Sequence, residues 1–217
     1  MLAKYQTEFI EYALEAGVLS FGEYQLKSGR ISPYFFNAGA FDTGERLSRL
    51  GHFYAEALVG SGLSYDALFG PAYKGIPLVS ITSVALYERF GIDIPYAFNR
   101  KEPKDHGEGG IIVGAHITGK VVIIDDVITA GTAVRETINT LSKTGISVSG
   151  ILVGIDRQEK GSQSLSAIQE VQAEFGVEVV SIIQLDTIIE YLEEANCNHN
   201  TLRLISDYRS QYGISKG

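Results

Sequence analysis

Asp125 and Asp126 follow a run of apolar β-branched residues, Val121-Val122-Ile123-Ile124, and precede Val127-Ile128-Thr129-Ala130-Gly131-Thr132-Ala133. The β-branched run suits a strand buried on both faces. The small and hydroxylated residues after it lead into a helical pattern. Backbone N–H groups of residues 129–132, with two hydroxyls beside them, can converge on one point. Free N–H groups at a helix N-terminus make an anion site well matched to a phosphate. Two carboxylates touching that phosphate would repel it. Asp125 and Asp126 must therefore face something else: ribose hydroxyls, a metal ion, or both. A sugar phosphate meets both demands.

Other stretches carry reactive side chains, each with a plainer reading beside it. Residues 100–110, Arg-Lys-Glu-Pro-Lys-Asp-His-Gly-Glu-Gly-Gly, balance three cations against three anions and hold three glycines. They suit a solvated surface loop, or a mobile lid that brings Arg100, Lys101, Lys104 and His106 onto a diphosphate. Lys27 lies in Lys27-Ser28-Gly29-Arg30, an exposed turn by composition, with Phe35 and Phe36 downstream as core aromatics. Tyr73 and Lys74 sit in Gly-Pro-Ala-Tyr-Lys-Gly, an ordinary strand-to-helix loop on its face. Arg157 follows Asp156 at a strand end, where arginine is often structural. Residues 114–121 nearly spell a nucleotide-binding P-loop, but end in valine and precede a strand instead of following one. His52, His116 and His199 are scattered, and Cys197 has no evident partner.

These residues need a scaffold, and the chain supplies alternating elements. Residues 4–16 read as an amphipathic helix and 18–39 as a hairpin. A helix follows Thr43 and ends at Gly60-Ser61-Gly62. From Ala67 strands and helices alternate: strands at 67–70, 94–99, 120–127, 147–155 and 178–183, helices at 76–90, 132–144 and 165–175. Helices at 186–195 and 201–212 close the chain. Crossovers of this length imply a parallel sheet covered on both faces. The expected organisation is a small N-terminal subdomain (1–64), an α/β core (65–184) and C-terminal helices packed on it (185–217).

Composition narrows the partners. The 217 residues carry net charge −8, which argues against nucleic acid. One cysteine excludes an intrachain disulfide and a cysteine-based zinc cluster, and suits a reducing compartment. The N-terminus lacks a signal-peptide pattern, and no apolar run approaches the ~18 residues of a membrane span. A soluble intracellular protein is the expectation, with no membrane partner.

Apolar residues, two acids, two apolar residues and Thr-x-Gly-Thr resemble the signature for 5-phosphoribosyl 1-diphosphate (PRPP) in type I phosphoribosyltransferases. Arg-Lys-x-x-Lys-Asp-His-Gly and the Lys27 to Phe36 run are similar to motifs of the bacterial orotate-specific branch. The resemblance implies an open, mainly parallel twisted α/β sheet with helices on both faces, under an N-terminal hood. It implies orotate and PRPP as substrates, orotidine 5′-monophosphate and diphosphate as products, and a place in pyrimidine biosynthesis in the cytoplasm. By it, Asp125 and Asp126 take the ribose diol, and Thr129, Ala130, Gly131, Thr132 and Ala133 the 5-phosphate, with Val127 and Ile128 also part of the PRPP site. Lys27, Tyr73, Lys74, Arg100, Lys101, Lys104 and His106 serve the diphosphate side. Phe35, Phe36, Thr129 and Arg157 meet orotate. It further implies Mg2+ held mainly by PRPP, with Asp125 or Asp126 reaching it through water, and a homodimer whose lid serves the neighbouring site. Two other readings are a transferase for a different base, opposed by Lys27, Phe35, Phe36 and Arg157, and a PRPP-sensing regulator that binds nucleic acid, opposed by the charge and the intact lid motif.

Overall fold

A computed structural model describes residues 2–26, 28–104, 110–161, 164–195 and 199–214, with only the backbone described at 103, 104 and 110. Helix α1 (Lys4–Glu15) buries Phe9, Ile10, Tyr12 and Ala13, the helical spacing of one face. Strands β1 (Leu19–Gln25) and β2 (Ile31–Phe36) form an antiparallel hairpin that pairs Leu19 with Phe36. Helix α2 (Gly44–Ser61) starts at Thr43, whose Oγ1 accepts the Arg46 N–H at 3.3 Å. It stops at Gly62, whose φ of 73° suits glycine.

Strand β3 (Ala67–Gly70) leads to α3 (Gly75–Phe90), then β4 (Tyr96–Lys104), β5 (Gly110–Gly114), β6 (Lys120–Asp125) and α4 (Thr132–Lys143). Strand β7 (Ser147–Asp156), α5 (Ala167–Phe175), β8 (Glu178–Gln184), α6 (Leu185–Glu194) and α7 (His199–Tyr212) complete the chain. The six-stranded sheet has the order β5-β4-β3-β6-β7-β8. Only β5 runs antiparallel to its neighbour.

The sheet separates two apolar clusters, as alternation along its strands requires. Leu68, Val122, Ile124 and Leu152 face α1, α2, α3, α6 and α7. Phe69, Val121, Ile123 and Val153 face α4 and α5. The N-terminal helices thus share their core with one face of the sheet. No helix of the described residues is long and apolar enough to cross a membrane.

Two strand assignments differ from the expectation. Of the polar stretch 100–110, residues Arg100 to Lys104 continue β4 and Gly110 begins β5, while 105–109 lie outside the described residues. Ile111, Ile112 and Val113 supply the β-branched partner strand, whose short length hid it from periodicity. Register shifts between Asn99, opposite Ile112, and Lys104, opposite Gly110. The extra residues on β4 place Arg100 and Lys101 in a bulge. Strand β6 ends at Asp125, not at residue 127, so both acids lie where the sheet ends.

The chain reverses direction across the sheet between β3 and β6. Strand β3 leads outward to β4 through α3, whereas β6 leads the other way to β7 through α4. The carboxyl ends of β3 and β6 therefore open onto a crevice, where α/β sheets bind ligands.

Candidate active site

Asp125 and Asp126 are delivered by a strand whose preceding four residues are fully buried. Asp125 Oδ1 accepts the Asp126 N–H at 2.9 Å, and Asp126 Oδ1 accepts the Val127 N–H at 2.9 Å. Two distant elements brace the same turn. The Tyr54 hydroxyl of α2 donates to the Asp125 carbonyl at 2.8 Å. The Gly154 N–H of β7 donates to the Asp126 carbonyl at 2.9 Å. Gly154 is needed there, since a Cβ would lie 3.1 Å from the Tyr54 hydroxyl and 3.2 Å from the Asp126 carbonyl oxygen. Burial, reinforced by the neighbouring charge of Asp126, pushes the Asp125 carboxyl up to about 7. Burial and the two acids also push Tyr54 well above the usual phenol range, so its hydroxyl remains a donor.

After the acids, Ile128 turns into the apolar cluster under α4 while Thr129, Ala130, Thr132 and Ala133 stay exposed. Gly131, at φ 75°, sets the turn into α4. No side chain caps this helix, and its first backbone bond runs from the Arg135 N–H to the Gly131 carbonyl at 3.0 Å. The first N–H groups of α4 are therefore without a side-chain cap among the described residues, as an anion site requires. Arg135 holds the loop from below. Its Nη1 donates to the Ala130 carbonyl at 2.9 Å, its Nε meets Glu174 at 2.7 Å, and its Nη2 meets Glu170 at 3.3 Å.

Across the crevice lies residues 71–74, between β3 and α3. Gly75 allows the close approach: a Cβ there would lie 2.5 Å from Pro71 Cδ and 2.9 Å from the Ile124 carbonyl oxygen. The Ala72–Tyr73 peptide is cis, and the Ala72 N–H donates to Asn99 Oδ1 at 2.8 Å. Lys74 Nζ reaches over the crevice to Asp126 Oδ2 at 2.5 Å. Tyr73 is 68% exposed, and Lys101 Nζ lies 4.7 Å from its ring centre. Arg100 Nη1 is buried without a hydrogen-bond partner among the described residues. Cations thus gather opposite the acids and beside the anion loop. Lys27 and His106 lie outside the described residues, as does the side chain of Lys104.

Arg157 extends from the end of β7. Its Cζ lies 4.4 Å from the Tyr34 ring centre, and its Nη2 donates to Ser32 Oγ at 3.2 Å. Glu159 Oε1 accepts from Nε at 2.8 Å. Phe35 and Phe36 are not brought together. Adjacent residues of β2 face opposite sides, so Phe36 packs on Phe9 with centroids 6.3 Å apart while Phe35 stacks on Tyr24 at 5.3 Å. Only Phe36 shares the inward face with Ser32 and Tyr34.

Sequence reasoning missed Tyr54, Asn99, Arg135, Gly154 and Glu159. Their roles arise from contacts across the fold. Arg135 alone left a local trace, four residues beyond Gly131 on the same helix face. Among the described residues no group of three or more histidine, cysteine or acidic side chains could hold a metal. Asp125 and Asp126 offer oxygen donors of the kind Mg2+ takes, one or two at a time alongside phosphate oxygens.

This geometry has counterparts in known proteins. The phosphoribosyl transferase domain family matches residues 38–181. An orotate phosphoribosyltransferase of Shewanella oneidensis is 60% identical over 97% of this chain and 98% of its own. That of Photobacterium profundum is 57% identical over 97% and 99%. A crystal structure of the Francisella tularensis orotate phosphoribosyltransferase, 46% identical, superposes with a TM-score of 0.88 over 95% of this chain and 99% of that one. Full-length identity at this level, on a sheet that presents paired acids, an anion loop and opposing cations at its switch point, shows that the chain belongs to the orotate phosphoribosyltransferase family.

Proposed function

We propose that the crevice transfers ribose 5-phosphate from PRPP to N1 of orotate, giving orotidine 5′-monophosphate and diphosphate, in pyrimidine biosynthesis in the cytoplasm. One observation carries this reading: two carboxylates and an uncapped helix N-terminus adjoin on one strand end, with Lys74 across from them. In this reading residues 1–64 form a hood on the acceptor side, 65–184 the donor-binding core, and 185–217 the packed C-terminal helices.

The 5-phosphate sits on the N–H groups and hydroxyls of residues 127–133. The ribose hydroxyls donate to Asp125 and Asp126. Without ligand, Lys74 neutralises Asp126. The diphosphate draws Lys74 away, and a ribose hydroxyl takes its place on Asp126, so neither charge is left unpaired. Tyr73, Arg100, Lys101 and Lys104 add positive charge around the departing diphosphate, with Lys27 reaching the same side and His106 supplying a proton. Arg157 and Phe36, with Thr129 nearby, hold orotate; Phe35 contributes through the hood, where it stacks on Tyr24. As the C1–O bond breaks and diphosphate leaves, N1 attacks C1 from the opposite face and gives up its proton, balancing the one the diphosphate receives. The residues supply in-line placement and stabilise charge as it builds on the leaving group. Closure of the lid keeps water from the sugar cation. Mg2+, when bound, would neutralise diphosphate oxygens, with Asp125 or Asp126 reaching it through water.

The deciding experiment follows orotate absorbance with PRPP and Mg2+. Orotate consumption matched by orotidine 5′-monophosphate supports the assignment; no turnover, with uracil or hypoxanthine accepted instead, refutes it. The functional unit in this reading is a homodimer whose lid serves the neighbouring site. Exposed Val84, Tyr87 and Phe90 on α3 support such an assembly. Lys104→Ala and Asp125→Asn proteins, each inactive alone, should regain partial activity after subunit exchange. No recovery despite proven exchange would count against sharing.

A further inference from the structure

The segment after β7 is tied to the end of the chain more tightly than a surface loop requires. Arg157 and Glu159 have side chains only 17% and 14% exposed. Arg157 Nε and Nη2 both reach the same Glu159 oxygen, at 2.8 and 2.6 Å. Arg30 approaches the other Glu159 oxygen at 3.5 Å and donates to the Lys160 carbonyl at 2.9 Å. Between them Gln158 sits at φ 50°, a conformation a side chain disfavours and that only its surroundings can hold. Its N–H donates to Asp156 Oδ1 at 2.8 Å, and its carbonyl accepts the Ile214 N–H at 2.9 Å. The Lys160 N–H donates to the Tyr212 carbonyl at 2.8 Å, and Glu159 and Gly213 form an antiparallel bridge. One turn earlier in α7, Tyr208 meets the Tyr34 ring edge-on, with centroids 6.2 Å apart. The Arg157 guanidinium lies against that same Tyr34 ring.

We infer that Glu159 and Tyr208 are positioning residues for the acceptor, and that α7 with its following residues is the strap that sets the Arg157 fork. Glu159 occupies the Nε–Nη2 edge of the guanidinium, while Tyr34, backed by Tyr208, supports its flat face. Ser32 Oγ takes the other Nη2 hydrogen at 3.2 Å, so Nη1 remains to donate to an acceptor oxygen of a planar ligand, a contact that depends on the guanidinium being fixed in one plane. The C-terminal helix thus contributes to acceptor recognition without touching the acceptor. This inference rests on the reading of Arg157 as an orotate contact.

The test measures KM for orotate and for PRPP, with kcat, in Arg157→Ala, Glu159→Gln, Tyr208→Leu and the Arg157→Ala/Glu159→Gln double variant. Melting curves report whether each folds; Glu159→Gln, nearly isosteric, keeps the test decisive if Tyr208→Leu does not. Glu159→Gln is expected to raise the orotate KM about tenfold, the usual scale for a lost charged hydrogen bond, with the PRPP KM within about twofold of the parent. In the Arg157→Ala background the same change should add nothing. An unchanged orotate KM in Arg157→Ala would overturn the Arg157 reading and the inference together. A raised KM in Arg157→Ala but not in Glu159→Gln would overturn the inference alone, as would equal rises in both KM values.

Discussion

Asp125→Asn should stabilise the protein, by an amount that grows with pH. In the folded chain the carboxyl is pushed from 3.8 up to about 7. In the unfolded chain it loses its proton near pH 4 and in the folded chain near pH 7. Between those values the folded state binds the extra proton, so stability is highest below about pH 4 and falls until the folded carboxyl has ionised. A gap of about 3 units corresponds to about 4 kcal/mol lost above pH ~8. Asparagine has no charge to desolvate, and its side-chain oxygen can still accept the Asp126 N–H. A buried amide keeps part of the polar cost, so the expected gain is about 2–4 kcal/mol at pH 8.5 and under about 1 kcal/mol at pH 4.5. Urea unfolding of parent and variant, extrapolated to water at several pH values, measures the difference. Titrating groups remote from Asp125 cancel between the two proteins. A gap that does not change with pH, or a variant less stable at pH 8.5, would refute the argument. The same variant should lose turnover, since the ionised carboxylate is the proposed acceptor for the ribose diol.

The remaining predictions concern the donor half. Below about pH 7 protonated Asp125 can no longer accept from both ribose hydroxyls, so PRPP binding should weaken as pH falls; Asp125→Asn should flatten that part of the PRPP Kd profile, measured by calorimetry from pH 5.5 to 8.5. Lys74 is 61% exposed but its partner Asp126 only 10%, so Lys74→Met leaves a buried carboxylate without its cation and should lower the unfolding free energy, measured in urea, by about 1–3 kcal/mol. Its turnover, measured at saturating substrates on the folded protein, should fall by about 100-fold. Arg135→Met removes the tie to the Ala130 carbonyl and the pairs with Glu170 and Glu174. Steady-state kinetics should show the PRPP KM up about tenfold and the orotate KM nearly unchanged.

The donor side was legible because it is local. One strand, two acids, a glycine and a helix start are consecutive in the chain, and their spacing carries the geometry. What braces them was not legible, because Tyr54 and Gly154 reach the acidic turn from positions far along the chain. The Lys74–Asp126 pair forms only because β3 and β6 are neighbours at the point where the strand order reverses. Phe35 and Phe36 show the opposite failure. A dipeptide reads as a unit, but a strand sends its two side chains to opposite faces. Strand β5 went unread because Ile111-Ile112-Val113 is too short to reveal a period, and its pairing depends on the bulge opposite it.

The sheet that divides the apolar interior also separates what supports the phosphate loop from what supports Arg157. Ile128 and Val134, beneath the phosphate loop, belong to the cluster shared by α4 and α5. Tyr34 and Tyr208, behind Arg157, belong to the other, with Phe36 packed against it. Close-packed interiors pass a change in side-chain volume to their neighbours, but here the sheet backbone stands between the two sets. Mutations that remodel the acceptor pocket can therefore accumulate on one face without disturbing the phosphate loop on the other, so long as Tyr54, which braces the acidic turn from the acceptor-side cluster, is kept. A scaffold wired this way can change the base it accepts while inheriting its sugar phosphate intact, and libraries aimed at new acceptors are best confined to the hairpin, the residues after β7 and α7.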